Sequence, residues 1–323
     1  MPENISGTPQ NKAHFNKLAN PENQTSVYRT AKIVLPFGLA AVCLYYVATG
    51  FQWAEIWRTL RGINLPMFLA ASILTTLVFW FLRTLRWAVL LKNENLAVSF
   101  SKLYLYTAVT VGFANFTPFQ SGEALKVELM RKHGGGRFSG YNYFFFEKLL
   151  DLLVISTLAA FGVFVLFESA VGNRIQLAIA GLTSVLVILT LAFAVVLKKI
   201  PEKLQIYRRF ISAQSGDLFR AFLLTLASWA TMIFGWKFIF QSAAIDLTIL
   251  QTTAVISLTT IIGILSLIPG AIGISEFSVA AMLSQMGYES IAAQTGAVMI
   301  ALYSLVILIL SVIHLIILRI KNF

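Results

Sequence analysis

The chain is poor in the residue types on which soluble catalysis and metal binding depend. Among its 323 residues are one cysteine, three histidines and 14 acids. Cys43 stands alone inside an apolar run, which excludes an intrachain disulfide and a cysteine-based metal site. His14, His133 and His314 are scattered without the spacing of metal ligands, and no Gly-x-x-x-x-Gly-Lys nucleotide loop occurs. Charged residues make up 12% of the chain, about half of what soluble domains carry, so an ordinary water-soluble enzyme is excluded. What fills the space is apolar: 58% of residues are hydrophobic, 26 are Phe, and the mean hydropathy is +0.77. Such a chain needs lipid around it. Residues 1–30 differ, being rich in Asn, Gln, Ser and Pro without the apolar run of a signal peptide, and read as a flexible cytoplasmic tail.

A bilayer core of roughly 30 Å requires about 20 apolar residues per helix. Six stretches meet that length: Ile33 to Gly50, Pro66 to Leu91, Tyr143 to Phe167, Ile175 to Leu197, Leu218 to Phe240 and Ile291 to Ile320. Two more, Leu103 to Phe119 and Ile249 to Ile268, run into Pro and Gly at their far ends. Between the first two spans, Trp53, Trp57, Arg58 and Arg61 alternate with apolar residues, as in a helix lying in the headgroup layer.

Basic residues orient the spans, because they accumulate on the cytoplasmic side. With the N-terminus inside, Arg83, Arg86, Lys92, the cluster from Lys198 to Arg209, and Arg319 and Lys321 all fall inside, provided that Leu103 to Arg131 and Ile249 to Met286 enter and leave on the same face. Of 25 basic residues, only Arg58, Arg61, Arg174 and Lys237 then lie toward the outer half. Each hairpin tip carries Pro, three residues, Gly and an acid at or soon after it: Pro118, Gly122 and Glu123 in one, and Pro269, Gly270, Gly273 and Glu276 in the other. The expected architecture is an all-α polytopic membrane protein of about six full transmembrane helices. Two opposed re-entrant hairpins complete an inverted repeat of residues 66–167 and 218–320, within one membrane domain spanning 31–323. Opposed broken helices are a transporter design, since unwound backbone is tolerated where it lines a cavity.

Charges inside apolar helices are costly and therefore point to function or to paired clusters. Glu123 begins a restarted helix, where it serves as a cap or faces the cavity; Lys126, one turn on, pairs with it or meets a lipid phosphate. Asn115 and Gln120 flank the same break. Glu147 and Asp151 share one helix face beside Lys148, either as a structural ion cluster or as a headgroup contact. The acids and lysines should form one buried network, with Arg83 or Arg86 adding positive charge; otherwise these arginines snorkel to the inner headgroups. Lys237 and His314 read as interfacial, whereas Glu276, far from basic residues in sequence, faces the cavity. Gly134 to Gly136 read as a flexible turn.

These motifs resemble those of the lysylphosphatidylglycerol synthase transmembrane (flippase-like) family. Pro118 to Lys126 is similar to its PxxxGExxR element, Glu147 to Asp151 to its ERxxD element, and Ile268 to Glu276 to its PGGxGxxE element, in the family's order. Lys126 and Lys148 stand where the family usually has Arg, which keeps the charge but loses the bidentate fork. The resemblance implies a membrane domain without the soluble aminoacyl-transferase domain of two-domain members. It also implies translocation of polar or charged lipids across the cytoplasmic membrane of a bacterium or archaeon, where the split of basic residues puts both termini on the cytoplasmic side.

The expected function is that of a lipid flippase or transporter, not an enzyme, with no cofactor and no metal. Its substrate is a membrane phospholipid or lipid-linked molecule bound by Glu123, Lys126, Glu276, Arg86, Arg83, Asn115 and Gln120. A membrane-embedded enzyme and an accessory subunit acting on a lipid-linked substrate remain the alternatives. Candidate protein partners are a separate lipid or glycan synthase and a second copy of the chain; nucleic acid is not expected.

Overall fold

The computed structural model describes residues 38, 40–92, 98–131, 137–167, 215–266 and 268–320. The expected tail, the span at 175–197, the basic cluster at 198–209 and Gly134 to Gly136 lie outside the described residues. All regular structure among those described is helical. In chain order the helices are α1 (Ala40–Gly50), α2 (Trp53–Arg61), α3 (Leu65–Leu90), α4 (Phe100–Ala114), α5 (Leu125–Arg131), α6 (Arg137–Phe167), α7 (Ser215–Ser242), α8 (Ile249–Ser266), α9 (Ile274–Gln285) and α10 (Ser290–Ile320). Helices α3, α7, α8 and α10 are long and apolar enough to cross a membrane. Helix α8, expected as one arm of a hairpin, is among them.

Local chemistry sets the boundaries. Asn64 caps α3, its side chain accepting from the Met67 N–H at 3.1 Å, and Pro66 sits in the first turn where its missing donor costs nothing. Short α2 buries Ile56 and leaves Trp53 and Trp57 outside. It is anchored at its start by Gln294 of α10, which accepts from the Gln52 N–H at 2.8 Å.

The packing pairs elements far apart in sequence. Helix α3 lies along α7, α4 along α10, and α6 along α8. Two glycines permit the last two approaches. A Cβ on Gly112 would overlap the Ser311 hydroxyl, and one on Gly162 would stand 2.7 Å from the Ala254 Cα. Close backbone contact through small residues is how apolar helices associate when lipid competes for every larger side chain.

Helices α4 and α8 both end in breaks. After α4, a 3-10 turn over Pro118–Ala124 leads directly into α5, and the Thr117 hydroxyl accepts from the Gly122 N–H at 2.8 Å. After α8, a turn over Pro269–Ala271 leads to α9. Gly270 has φ +67°, a left-handed conformation, and a Cβ there would lie 2.8 Å from the Asn115 carbonyl oxygen. The two breaks therefore touch.

Candidate functional site

Four helical segments bring seven charged side chains into one buried cluster. The last turns of α3 supply Arg83 and Arg86, the first break and α5 supply Glu123 and Lys126, and α6 supplies Glu147, Lys148 and Asp151. Arg83 donates from one terminal nitrogen to Glu123 Oε1 at 3.1 Å and from the other to Asp151, with its Nε 3.6 Å from Glu147. Arg86 bonds Glu147 and both oxygens of Asp151, at 2.8 and 3.1 Å, and also donates to the Thr225 hydroxyl of α7 at 2.8 Å. Lys126 Nζ lies 3.1 Å from Glu147 and 3.6 Å from Glu123, over the Trp87 ring at 4.8 Å. Lys148 Nζ is 3.0 Å from Glu123, and the Trp87 indole N–H donates to Glu147.

The expected five-membered network is thus present, enlarged by both arginines. Neither arginine snorkels: both are buried, which is where guanidinium geometry serves best, since each fork engages two carboxylates at once. Four basic against three acidic side chains leave the cluster with one excess positive charge. At low dielectric such an excess acts strongly on any anion that reaches it.

The cluster forms one corner of a cavity of about 570 Å³ lined by α3, α4, α6, α7, α8, α9, α10 and the two breaks. Arg83, Glu123, Lys148 and Asp151 line it, as do Asn115 and Glu276. Arg86, Lys126 and Glu147 stand behind the wall, holding the first group in place. Lys148 and Asp151, read from sequence as part of a structural ion cluster or a headgroup contact, are therefore at the surface a ligand would meet. The side chains of Pro118 and Gln120 lie outside the described residues. Glu276 serves in two ways. Its Oε2 accepts from the Gly273 N–H at 2.7 Å, capping α9, while the half-buried side chain borders the cavity.

The rest of the wall is largely apolar and aromatic, including Phe79, Trp80, Trp229 and Trp236, with Thr76, Thr259, Thr260, Tyr303 and Ser304 between them. Sequence reasoning passed over these hydroxyls and indoles. The signal was a pair of adjacent threonines in otherwise apolar helices, at Thr75-Thr76 and Thr259-Thr260. The two residues expected at the interface each have specific partners. His314 is half-buried, edge-on to Trp80 and Tyr104 at ring distances of 5.2 and 5.6 Å. Lys237 ties down the α7–α8 connection through Asp246 at 3.3 Å and the Leu247 carbonyl at 2.5 Å. Among the described residues, no group of three His, Cys, Asp or Glu is arranged to hold a metal ion.

The model of the family described as the lysylphosphatidylglycerol synthase TM region matches residues 33–311. The chain is 25% identical over 283 residues to a UPF0104 membrane protein of Pyrococcus horikoshii, covering 73% of this chain and 83% of that protein. A UPF0104 membrane protein of Methanothermobacter thermautotrophicus is 28% identical over 193 residues, or 56% of this chain; the match spans about half of that protein, 53%.

Proposed function

The chain belongs to the family of the lysylphosphatidylglycerol synthase transmembrane region, and from that premise we propose that it carries a polar or charged phospholipid headgroup across the cytoplasmic membrane. The observation that carries this reading is the cavity of about 570 Å³, largely apolar, with a charged corner where Arg83, Lys148, Glu123 and Asp151 reach the surface of a cluster that carries one excess positive charge. A headgroup phosphate meets Arg83 and Lys148 there, in competition with the acids that already hold them, so binding is reversible. Charge-assisted bonds to phosphate give orientation, and the acidic partners keep the cations in place when the site is empty.

The inverted repeat is part of the same reading. Its support is the exchange of partners between halves: α4 of the first packs on α10 of the second, and α8 of the second packs on α6 of the first. Contact between the two breaks, at Gly270 and Asn115, fits re-entrant tips that meet within the membrane and open the cavity to either leaflet in turn. The charged corner, at the end of α3 that bears Lys92, faces the inner leaflet in this orientation, with both termini cytoplasmic. No step of the cycle alters the lipid.

Reconstitution tests this directly. Purified protein in liposomes should carry headgroup-labelled anionic phospholipid between leaflets faster than protein-free liposomes, and the recovered lipid should be chemically unchanged. Transfer at the protein-free rate would refute the proposal. A modified headgroup would replace it with the enzymatic alternative.

A further inference from the structure

We propose that the cavity holds a second, uncharged substrate station, made by the Trp236 indole N–H and the Thr259 hydroxyl, that takes the hydroxyl oxygens of a polyol or sugar headgroup. This rests on the cavity's being a lipid site and specifies which lipids it favours.

Both residues line the cavity, and both are buried, at 6% and 5% exposure. Neither Trp236 Nε1 nor Thr259 Oγ1 has a hydrogen-bond partner among the described residues. Buried donors are almost always paired, so an orphan on a cavity wall calls for a ligand in a way that an orphan in a dry core does not. Thr259 departs from its neighbours. Threonines in these helices close onto the carbonyl four residues back, as do Thr76 to Ser72, Thr225 to Ala221 and its own neighbour Thr260 to Ile256. Thr259 leaves that bond unmade. The other such atoms on residues lining the cavity, Arg83 Nε and Glu123 Oε2, are engaged in the ion pairs of the charged corner, at 3.6 Å from Glu147 and 3.0 Å from Lys148 Nζ.

The two sets of atoms are apart. Thr225, which touches Arg86, precedes Trp236 by eleven residues of α7, or about 16 Å of helix. Gly235 packs on Thr75, eight residues and about 12 Å along α3 from Arg83. The Trp236 side of the station therefore lies deeper along the helices than the charged corner, toward the Lys237 end. Between the two runs a wall of aromatic rings, from Phe79 against Arg83 at 5.1 Å to Trp80 and Trp229, which is flat and apolar and suits the CH faces of a polyol. An anionic phosphate held by Arg83 and Lys148 with a neutral hydroxylated group beyond it satisfies both stations together.

The test compares two short-chain monoanionic lipids that differ in hydroxyls alone, dihexanoyl phosphatidylglycerol and dihexanoyl phosphatidylmethanol. Their affinities for the full chain in detergent come from ligand-dependent thermal shift. The native protein should prefer phosphatidylglycerol by about fivefold or more, the worth of one neutral hydrogen bond. Trp236→Phe and Thr259→Val should each bring the ratio toward one. Thr259→Val nearly preserves shape and removes a hydroxyl that bonds nothing in the described fold, so its melting temperature should not fall; it carries the test if Trp236→Phe fails to fold. Equal affinities in the native protein would mean that solvent alone satisfies the two donors, and would overturn the station while leaving the lipid site standing. An undiminished preference in both variants would overturn it as well. Binding of neither lipid would overturn the lipid site and the station together.

Discussion

Glu147 is the acid on which the buried cluster turns. It is fully buried and behind the cavity wall, and it meets Arg86, Lys126 at 3.1 Å, Arg83 at 3.6 Å and the Trp87 indole. Glu147→Gln keeps the side chain's volume but raises the excess positive charge of the cluster from one to two. Removing one partner of a buried ion pair costs about 3 to 5 kcal/mol, because the remaining charge stays desolvated. For a chain of this size that loss lowers the apparent melting temperature by something on the order of 10 °C. A second substitution, Lys126→Met, returns the excess to one and puts an apolar chain of similar length against Trp87. The double variant should recover most of the loss, a coupling readable as a double-mutant cycle. Thermal unfolding in detergent by circular dichroism is the assay. Melting of Glu147→Gln within about 2 °C of the native protein, or no recovery in the double variant, would refute the charge-balance argument. Because neither residue lines the cavity, the double variant should still move lipid. A stable but inactive double variant would return Lys126 to the substrate path.

Glu276→Gln should melt close to the native protein, since an amide oxygen still accepts from the Gly273 N–H, yet move anionic lipid more slowly in liposomes; unchanged transport would make Glu276 a cap and nothing else. Gly270→Ala should destabilise the contact between the breaks by about 1 to 3 kcal/mol, because φ is +67° and the new Cβ meets the Asn115 carbonyl, and native-like thermal stability would contradict that. In a Cys43→Ser background, cysteines at the exposed positions Lys92 and Arg319 should react with an impermeant maleimide only from the cytoplasm, and one at Glu289 only from outside. Labelling of Lys92→Cys from outside would reverse the proposed orientation.

Much of the fold was legible because composition and interruption speak plainly in lipid. Apolar runs marked the helices, and Pro118 and Pro269 with their glycines marked the two breaks, which backbone chemistry makes unavoidable. The charged cluster was legible for the same reason: seven ionisable groups cannot sit singly in an apolar bundle, so they had to find one another. Which of them would face the cavity was not legible. Lys126 and Lys148 have the same charge and flank the same acid, and only the rotation of α5 against α6 puts one behind the wall and the other on it. Hydroxyls and indoles on the wall escaped notice because a threonine bonded to its own helix and a threonine facing a cavity look alike in sequence. The ring contacts of His314 were not legible because Trp80 and Tyr104 come from helices more than 200 positions away.

The crossed packing of α4 with α10 and of α6 with α8 has a bearing on how the protein is made. A ribosome delivers α4 long before α10, so the face of α4 that carries Gly112 waits through most of synthesis without the Ser311 surface it fits. Neither half can finish its core alone; the first half is an unfinished intermediate until the last helix is in the bilayer, and the native assembly closes in one late step. Truncation before α10 therefore does more than shorten the chain, because it leaves α4 unsupported at the break that builds the cationic corner. Conversely, the two halves made as separate chains hold complementary surfaces, and their association in the membrane is written into the same glycine-lined contacts that close the intact protein.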